Sequence, residues 1–286
     1  MENIINFYKD KEVFMVGALD SLGVPYTLDN TEMKSYIELV ADALSQHGIH
    51  LTYFNMSSLG RNKTWELQRI LKHDYSIGEY NRWNQYASLY VISGQREEES
   101  WPFPTNPNFV EEFYKDIPHS DIRITTQLQT IENPIFLYSC GGMNIRQYLK
   151  VNSEMDFEDV KVCFKEVVFR AFHHIRQTKQ DIRNVIEDIL SLNPNMEIYV
   201  LGVYAMLDEQ IFRDLAFPFV FWYNAELKKI ISSYENVHYI DIVKVKDMVA
   251  KKDMHPTLEG QKYIAKQLIK KMDDVCFKKN NSFKVE

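Results

Sequence analysis

The sequence predicts an α/β protein with a central parallel sheet of about five strands and helices on both of its faces. Two observations carry that prediction. Short apolar runs bounded by turn residues recur along the chain, and the stretches between them place apolar residues at helical spacing. The two kinds of segment alternate about five times, which calls for right-handed crossovers between parallel strands.

The elements follow in order. Residues 13–18 form an apolar run that ends at Asp-Ser-Leu-Gly, so they read as a buried strand. Residues 32–47 carry Met33, Ile37, Val40, Ala41 and Leu44 at helical spacing. Asn30 or Thr31 is the expected cap, and Gly48 the expected stop. A second strand is expected over 49–56, then the loop "SSLGRNK" and a short helix from Thr64 to Lys72. Residues 74–120 are rich in Tyr, Trp, Asn and Pro and read as an insertion or lid after the second strand.

Regularity then returns. "ITTQLQTI" predicts a helix and "PIFLYSC" at 134–140 a strand, followed by "GGMN" at 141–144. Residues 156–192 are helical by periodicity, and "NPNMEIYVLGVY" reads as a turn and a strand. "FWYNAELKKIISSY" reads as a helix, "VHYIDI" at 237–242 as a strand, and "TLEGQKYIAKQLIKKM" as a last helix capped by Thr257. Residues 1–276 are expected to form one domain and 277–286 a flexible, Lys-rich tail.

Composition narrows the function. The chain has 286 residues, 45% hydrophobic and 26% charged, as in an ordinary globular protein with a full core. A net charge of −7 with no basic block argues against nucleic acid as a partner. "MENIINFYKDKEVF" has no basic segment followed by an apolar one, so no secretory signal is expected. The run "AFPFVFWY" at 216–223 is too short to span a bilayer, so no stable membrane insertion is expected, and core packing is its favoured role. Cys140, Cys163 and Cys276 are odd in number and widely spaced. They indicate neither a zinc site nor a disulfide framework, and a reduced, cytoplasmic protein is the simplest reading. Cys140 reads as a packed thiol, and the adjacent His173 and His174 do not share a helix face as a metal pair would.

Ligands of open parallel sheets sit outside the carboxyl ends of the strands, so the loops there are the place for chemistry. "LDSLG" offers the hydroxyl of Ser21, a nucleophile once a base takes its proton. "DMHPT" offers His255, because imidazoles as a class titrate near neutral pH. Pro256 fixes the backbone just after it. Gly60 and Gly142 allow backbone N–H groups to approach an oxyanion, and the Asn144 amide can donate as well. The first strand ends without GxGxxG, which disfavours a dinucleotide site.

In chain order, Ser21 in "LDSLG", Gly60 in "SSLGRN", Asn144 in "GGMN" and His255 in "DMHP" resemble the four signature residues of the SGNH hydrolases, the GDSL-type esterases and lipases. "HPTLEGQKYIA" is the most specific piece, and the resemblance covers residues 13–64, 134–146 and 196–272. It implies a flavodoxin-like three-layer αβα sandwich and ester hydrolysis through an acyl-serine, with no cofactor and no metal. Ser21 would be the nucleophile and His255 the base. The Ser21 and Gly60 N–H groups and the Asn144 side chain would form the oxyanion hole.

Three positions depart from the family pattern. Leu19 stands where Gly usually precedes Asp-Ser, and Ile145 where Asp often follows the Asn. Lys252 occupies the usual position of the catalytic acid, and Asp253 lies one residue closer to His255. Asp253 is the candidate acid of a triad; a backbone carbonyl would give a Ser-His dyad instead. The expected substrate is a small-molecule ester, an acylated sugar or a lipid-like ester, with a short acyl or acetyl group. Trp83 and Trp101, with Tyr86 and Phe103, are candidate substrate contacts from the insertion, and Gly142 from the "GGMN" loop. The rival readings are a non-catalytic binding or scaffold protein with the same fold and an O-acyltransferase using the same acyl-serine. Oligomeric state is not legible.

Overall fold

The computed structural model describes residues 1–18, 21–23, 33–57, 64–80, 121–139, 176, 178–204, 210–249 and 255–282, with the backbone alone at 18, 21, 64–66, 69 and 210–217. Five strands form one sheet: β1 (Glu12–Ala18), β2 (His50–Asn55), β3 (Asn133–Ser139), β4 (Glu197–Leu201) and β5 (Val237–Ile240). Their order is β2-β1-β3-β4-β5, and every pair is parallel. The helices are α1 (Glu2–Tyr8), α2 (Tyr36–Gln46), α3 (Thr64–His73), α4 (Ile124–Thr130), α5 (178–192), α6 (Gln210–Ile231) and α7 (Leu258–Ser282). The expected parallel α/β sheet with flanking helices is therefore present.

Successive side chains on a strand point to opposite faces, so a sheet covered on both sides must bury both sets. Phe14 and Val16 of β1, Phe136 and Tyr138 of β3, and Ile198 and Val200 of β4 face one way. They pack against α3, α4, α5 and α6 through Leu67, Leu128, Ile186 and Leu227, among others. Val13, Met15, Ile135, Leu137, Tyr199 and Leu201 face the other way, against Ile4 of α1, Ile37 and Val40 of α2, and Ile264 and Leu268 of α7. The result is three layers with two separate apolar seams. Full burial of each such side chain stabilises the fold by about 1.5–3 kcal/mol.

Four local expectations change. Helix α2 starts later than its periodicity suggests, because Ser35 caps it in place of Asn30 or Thr31. The Ser35 hydroxyl accepts from the Glu38 N–H at 3.3 Å, and the Glu38 carboxylate accepts from the Ser35 N–H at 2.7 Å. This reciprocal box satisfies two helix-end donors at once. Gly48, with φ of +80°, follows the helix as expected. Helix α6 starts earlier than expected and contains Pro218. A proline inside a helix removes one hydrogen bond, and the buried Val220, Tyr223, Leu227 and Ile230 that follow hold α6 on the sheet. Val220 and Tyr223 of the "AFPFVFWY" run pack into the core, while Phe221 is 68% exposed.

Helix α7 runs to Ser282, so residues 277–282, expected within a flexible tail, are helical. The Lys279 ammonium pairs with the buried Glu197 carboxylate, whose other oxygen meets His238 Nε2 at 2.6 Å. Residues 74–80 are also not loose. Tyr80 is fully buried and donates to the Met56 carbonyl at 2.6 Å. Ser76 bridges Arg123 in antiparallel fashion, so the chain leaves and re-enters the body at one point. The body of the expected insertion, 81–120, lies outside the described residues.

Candidate active site

Strand β1 continues to β2 on one side and neighbours β3 on the other, so the chain direction across the sheet reverses at its carboxyl end. Such switch points are where open α/β sheets bind ligands. A single 3₁₀ turn, Ser21–Gly23, lies there. It is braced from three directions. Asn55, at the end of β2, donates from Nδ2 to the Gly23 carbonyl at 2.8 Å and to the Ser35 hydroxyl at 3.3 Å. Its Oδ1 accepts from the Ser57 N–H at 2.9 Å. The Met56 N–H donates to the Gly17 carbonyl at 2.7 Å. Leu22 is 1% exposed and anchors the turn in the seam beneath α2 and α7. Gly23 is required by close approach, because a Cβ there would overlap the Ser57 hydroxyl and the Ile37 methyl.

The third brace comes from α7. Gln261, fully buried, donates from Nε2 to the Leu22 carbonyl at 2.7 Å. Its Oε1 accepts from the Tyr36 N–H at 2.8 Å, one of the donors at the start of α2 that has no partner within the helix. His255 stands six residues before Gln261 on the same approach to the helix and is itself buried, at 6% exposure. Its backbone is held closely. Pro256 bridges Val249, and both the Thr257 N–H and its hydroxyl donate to the Met248 carbonyl, at 2.8 and 3.0 Å. The Thr257 hydroxyl accepts from the Gly260 N–H at 3.4 Å, as a helix cap does. The described residues thus bring the Ser21 turn and the His255 segment to the same end of the sheet.

Gly60, Gly142, Asn144, Asp253, Trp83 and Trp101 lie outside the described residues, as do Cys140 and His173–His174. Gln261 and Asn55 are absent from the sequence-derived site, yet both left a signal. Gln261 lies on the stripe it shares with Ile264, Ala265 and Leu268, a polar residue on an apolar face. Asn55 ends a strand just before the loop that carries Gly60. Among the described residues no group of His, Cys, Asp and Glu could hold a metal ion. Cys276 is a free thiol whose burial pushes its pKa up to about 12, so it stays protonated and unreactive. No described helix is long and apolar enough to cross a membrane.

No family model matches the sequence, and no curated protein does. Solved structures do. The lipase Lip_vut3 from a goat rumen metagenome is similar over 90% of this chain and 95% of its own, at a TM-score of 0.51 and 12% identity. The acetylxylan esterase Axe2 from Geobacillus stearothermophilus matches over 92% and 94%, at 0.47 and 13%. TesA matches over 93% and 99%, at 0.48 and 10%. At such identity the likeness to the lipase is one of fold. The chain has the three-layer SGNH-hydrolase fold.

Proposed function

We propose that this protein is a serine esterase that cleaves a carboxylic ester with a short acyl or acetyl group through an acyl-serine. The observation that supports this most is the junction at the carboxyl end of β1. There the turn that begins with Ser21 is tied, through Leu22 and Gln261, to the helix that follows His255. A fold alone would not carry the reading, because one fold hosts many chemistries.

In the proposed reaction the Ser21 hydroxyl attacks the ester carbonyl carbon while His255 accepts its proton. The oxyanion is met by the N–H groups of Ser21 and Gly60 and by the Asn144 amide. His255 then protonates the leaving alcohol, and the acyl group stays on Ser21. Water, deprotonated by His255, attacks the acyl-serine; the bond to the Ser21 oxygen breaks, that oxygen takes the proton back from His255, and the acid leaves. Asp253 orients the imidazole. The alcohol portion is a sugar or a lipid-like group. The free thiol of Cys276 accords with a reducing, cytoplasmic setting.

The test is hydrolysis of p-nitrophenyl acetate and butyrate, with fluorophosphonate labelling read by intact mass. Turnover and one adduct at Ser21 are expected in the parent protein. Ser21→Ala and His255→Ala are expected to abolish turnover with unfolding midpoints close to the parent. A folded parent protein with neither turnover nor adduct would overturn the esterase reading in favour of a binding role. Acyl transfer to an added sugar in preference to water would make it an acyltransferase.

A further inference from the structure

We infer that Gln261 is a positioning residue, a crossbar whose one amide fixes the Ser21 turn relative to the His255 segment. The inference rests on the esterase reading of that site. Three elements meet at this side chain: α7, on which it stands, the start of α2 through the Tyr36 N–H, and the turn after β1 through the Leu22 carbonyl. The side chain has no exposed surface, so water does not compete for either bond. The peptide group is planar, so holding the Leu22 carbonyl also fixes the direction of the Gly23 N–H on its other side. Asn55 does the same to the next peptide through the Gly23 carbonyl. Two amides from opposite flanks, one on β2 and one on α7, thus set the orientation of the peptides that follow Ser21.

The division of labour between the two is unequal. Asn55 ties the turn to its own side of the sheet. Gln261 bonds the turn to the helix that follows His255. Nucleophile and base must meet within hydrogen-bond reach for proton transfer, and an error of about 1 Å costs on the order of a hundredfold in rate. The residue also needs both a donor and an acceptor, because it faces a carbonyl oxygen and an N–H at once. Glutamine supplies both in one side chain. An ionised glutamate would keep the bond to the Tyr36 N–H and turn a negative oxygen toward the Leu22 carbonyl.

That difference supplies the test. Fluorophosphonate labelling of Ser21 and p-nitrophenyl acetate kinetics are measured for the parent protein, Gln261→Met and Gln261→Glu, from mildly acidic to mildly alkaline pH. In Gln261→Met, labelling and kcat are expected to fall about ten- to a hundredfold with KM little changed. In Gln261→Glu the defect is expected at neutral pH and to shrink as pH falls, because a protonated carboxyl donates to the Leu22 carbonyl as the amide does. Taking the ratio of parent to variant cancels the titration of the base, which both share. A residue that only stabilised the fold would lower the melting temperature and leave this ratio flat below it. Parent-like labelling in Gln261→Met, with a flat ratio in Gln261→Glu, would overturn the inference and leave the esterase reading intact. Absence of labelling in the parent protein would overturn the esterase reading and the inference with it. Should Gln261→Met not fold, the Gln261→Glu ratio decides alone.

Discussion

Gly23 shows how tightly single atoms constrain the turn after β1. Its carbonyl is held by Asn55, and its missing side chain makes room for the Ser57 hydroxyl and the Ile37 methyl. Ile37 is fully buried and belongs to the seam beneath α2, so it has little freedom to retreat. Gly23→Ala is therefore expected to cost about 1–3 kcal/mol of stability, as overpacking of a dense interior does. Urea unfolding checks this, and an unchanged midpoint would mean that the turn yields easily. Gly17, next to the last residue of β1, is crowded by the same Ile37 side chain. The strand that delivers Ser21 and the turn that holds it thus share one packing partner.

At the level of elements, helices α5 and α6 are joined by an ionic clasp. The Glu226 carboxylate meets the ammonium groups of Lys179 and Lys229, the latter at 2.6 Å. Hydrogen bonds from the two lysines hold its pKa down from 4.5 to about 2. A carboxyl whose pKa is lowered by folding adds stability that is present above its unfolded pKa and fades as pH falls through the folded one. Glu226→Gln is therefore expected to be less stable than the parent at neutral pH, and the gap is expected to close between about pH 4.5 and 2. Denaturant midpoints across that range check it; a gap that stays constant would assign the loss to packing. Helix α6 has a second attachment. The Asn224 amide accepts from the Val203 N–H and donates to the Val203 carbonyl, both at 2.8 Å. It thereby ties the chain just beyond β4 to the helix that covers it.

The whole molecule is a divided core with its candidate chemistry at one end. The sheet separates two apolar seams, and the candidate site lies at the carboxyl ends of the strands. The Glu197 cluster with His238 and Lys279 closes the opposite end. The excursion between α3 and α4 is pinched at its neck. Besides the Ser76–Arg123 bridge, the Ile77 N–H donates to the Ile122 carbonyl and the Ile124 N–H to the Tyr75 carbonyl, at 2.9 and 3.0 Å. Arg123 donates to the Asp74 carbonyl at 2.6 Å, and the Asp74 carboxylate receives the Thr126 N–H and hydroxyl at 2.9 and 2.6 Å. Loop closure depends only weakly on length, about 0.6 kcal/mol per doubling, so a loop with joined ends can be shortened at little cost. We propose that 81–120 is an insertion into a single domain that includes α7 through Ser282. Replacing 81–120 by a short Gly-Ser linker is expected to preserve one cooperative unfolding transition. Loss of that transition would make the segment part of the core.

The sequence by itself determined the kind and order of the elements. Apolar alternation and helical periodicity are local properties, and so are the S-x-x-E box at Ser35 and the cap at Thr257. Ser35 was legible in principle, but the longer apolar stripe starting at Met33 obscured it. The candidate pair Ser21 and His255 was also legible, because each lies in a short motif beside a strand or helix. Tertiary structure alone decided what holds them. Leu22 and Gln261 are 239 positions apart, and nothing in the neighbourhood of either predicts that an amide of one will meet a carbonyl of the other. The same holds for the strand order, for Pro218 inside α6 and for Lys279 in the helix expected to have ended. In each case burial against a distant element outweighs the local preference, and only the folded arrangement brings that element near.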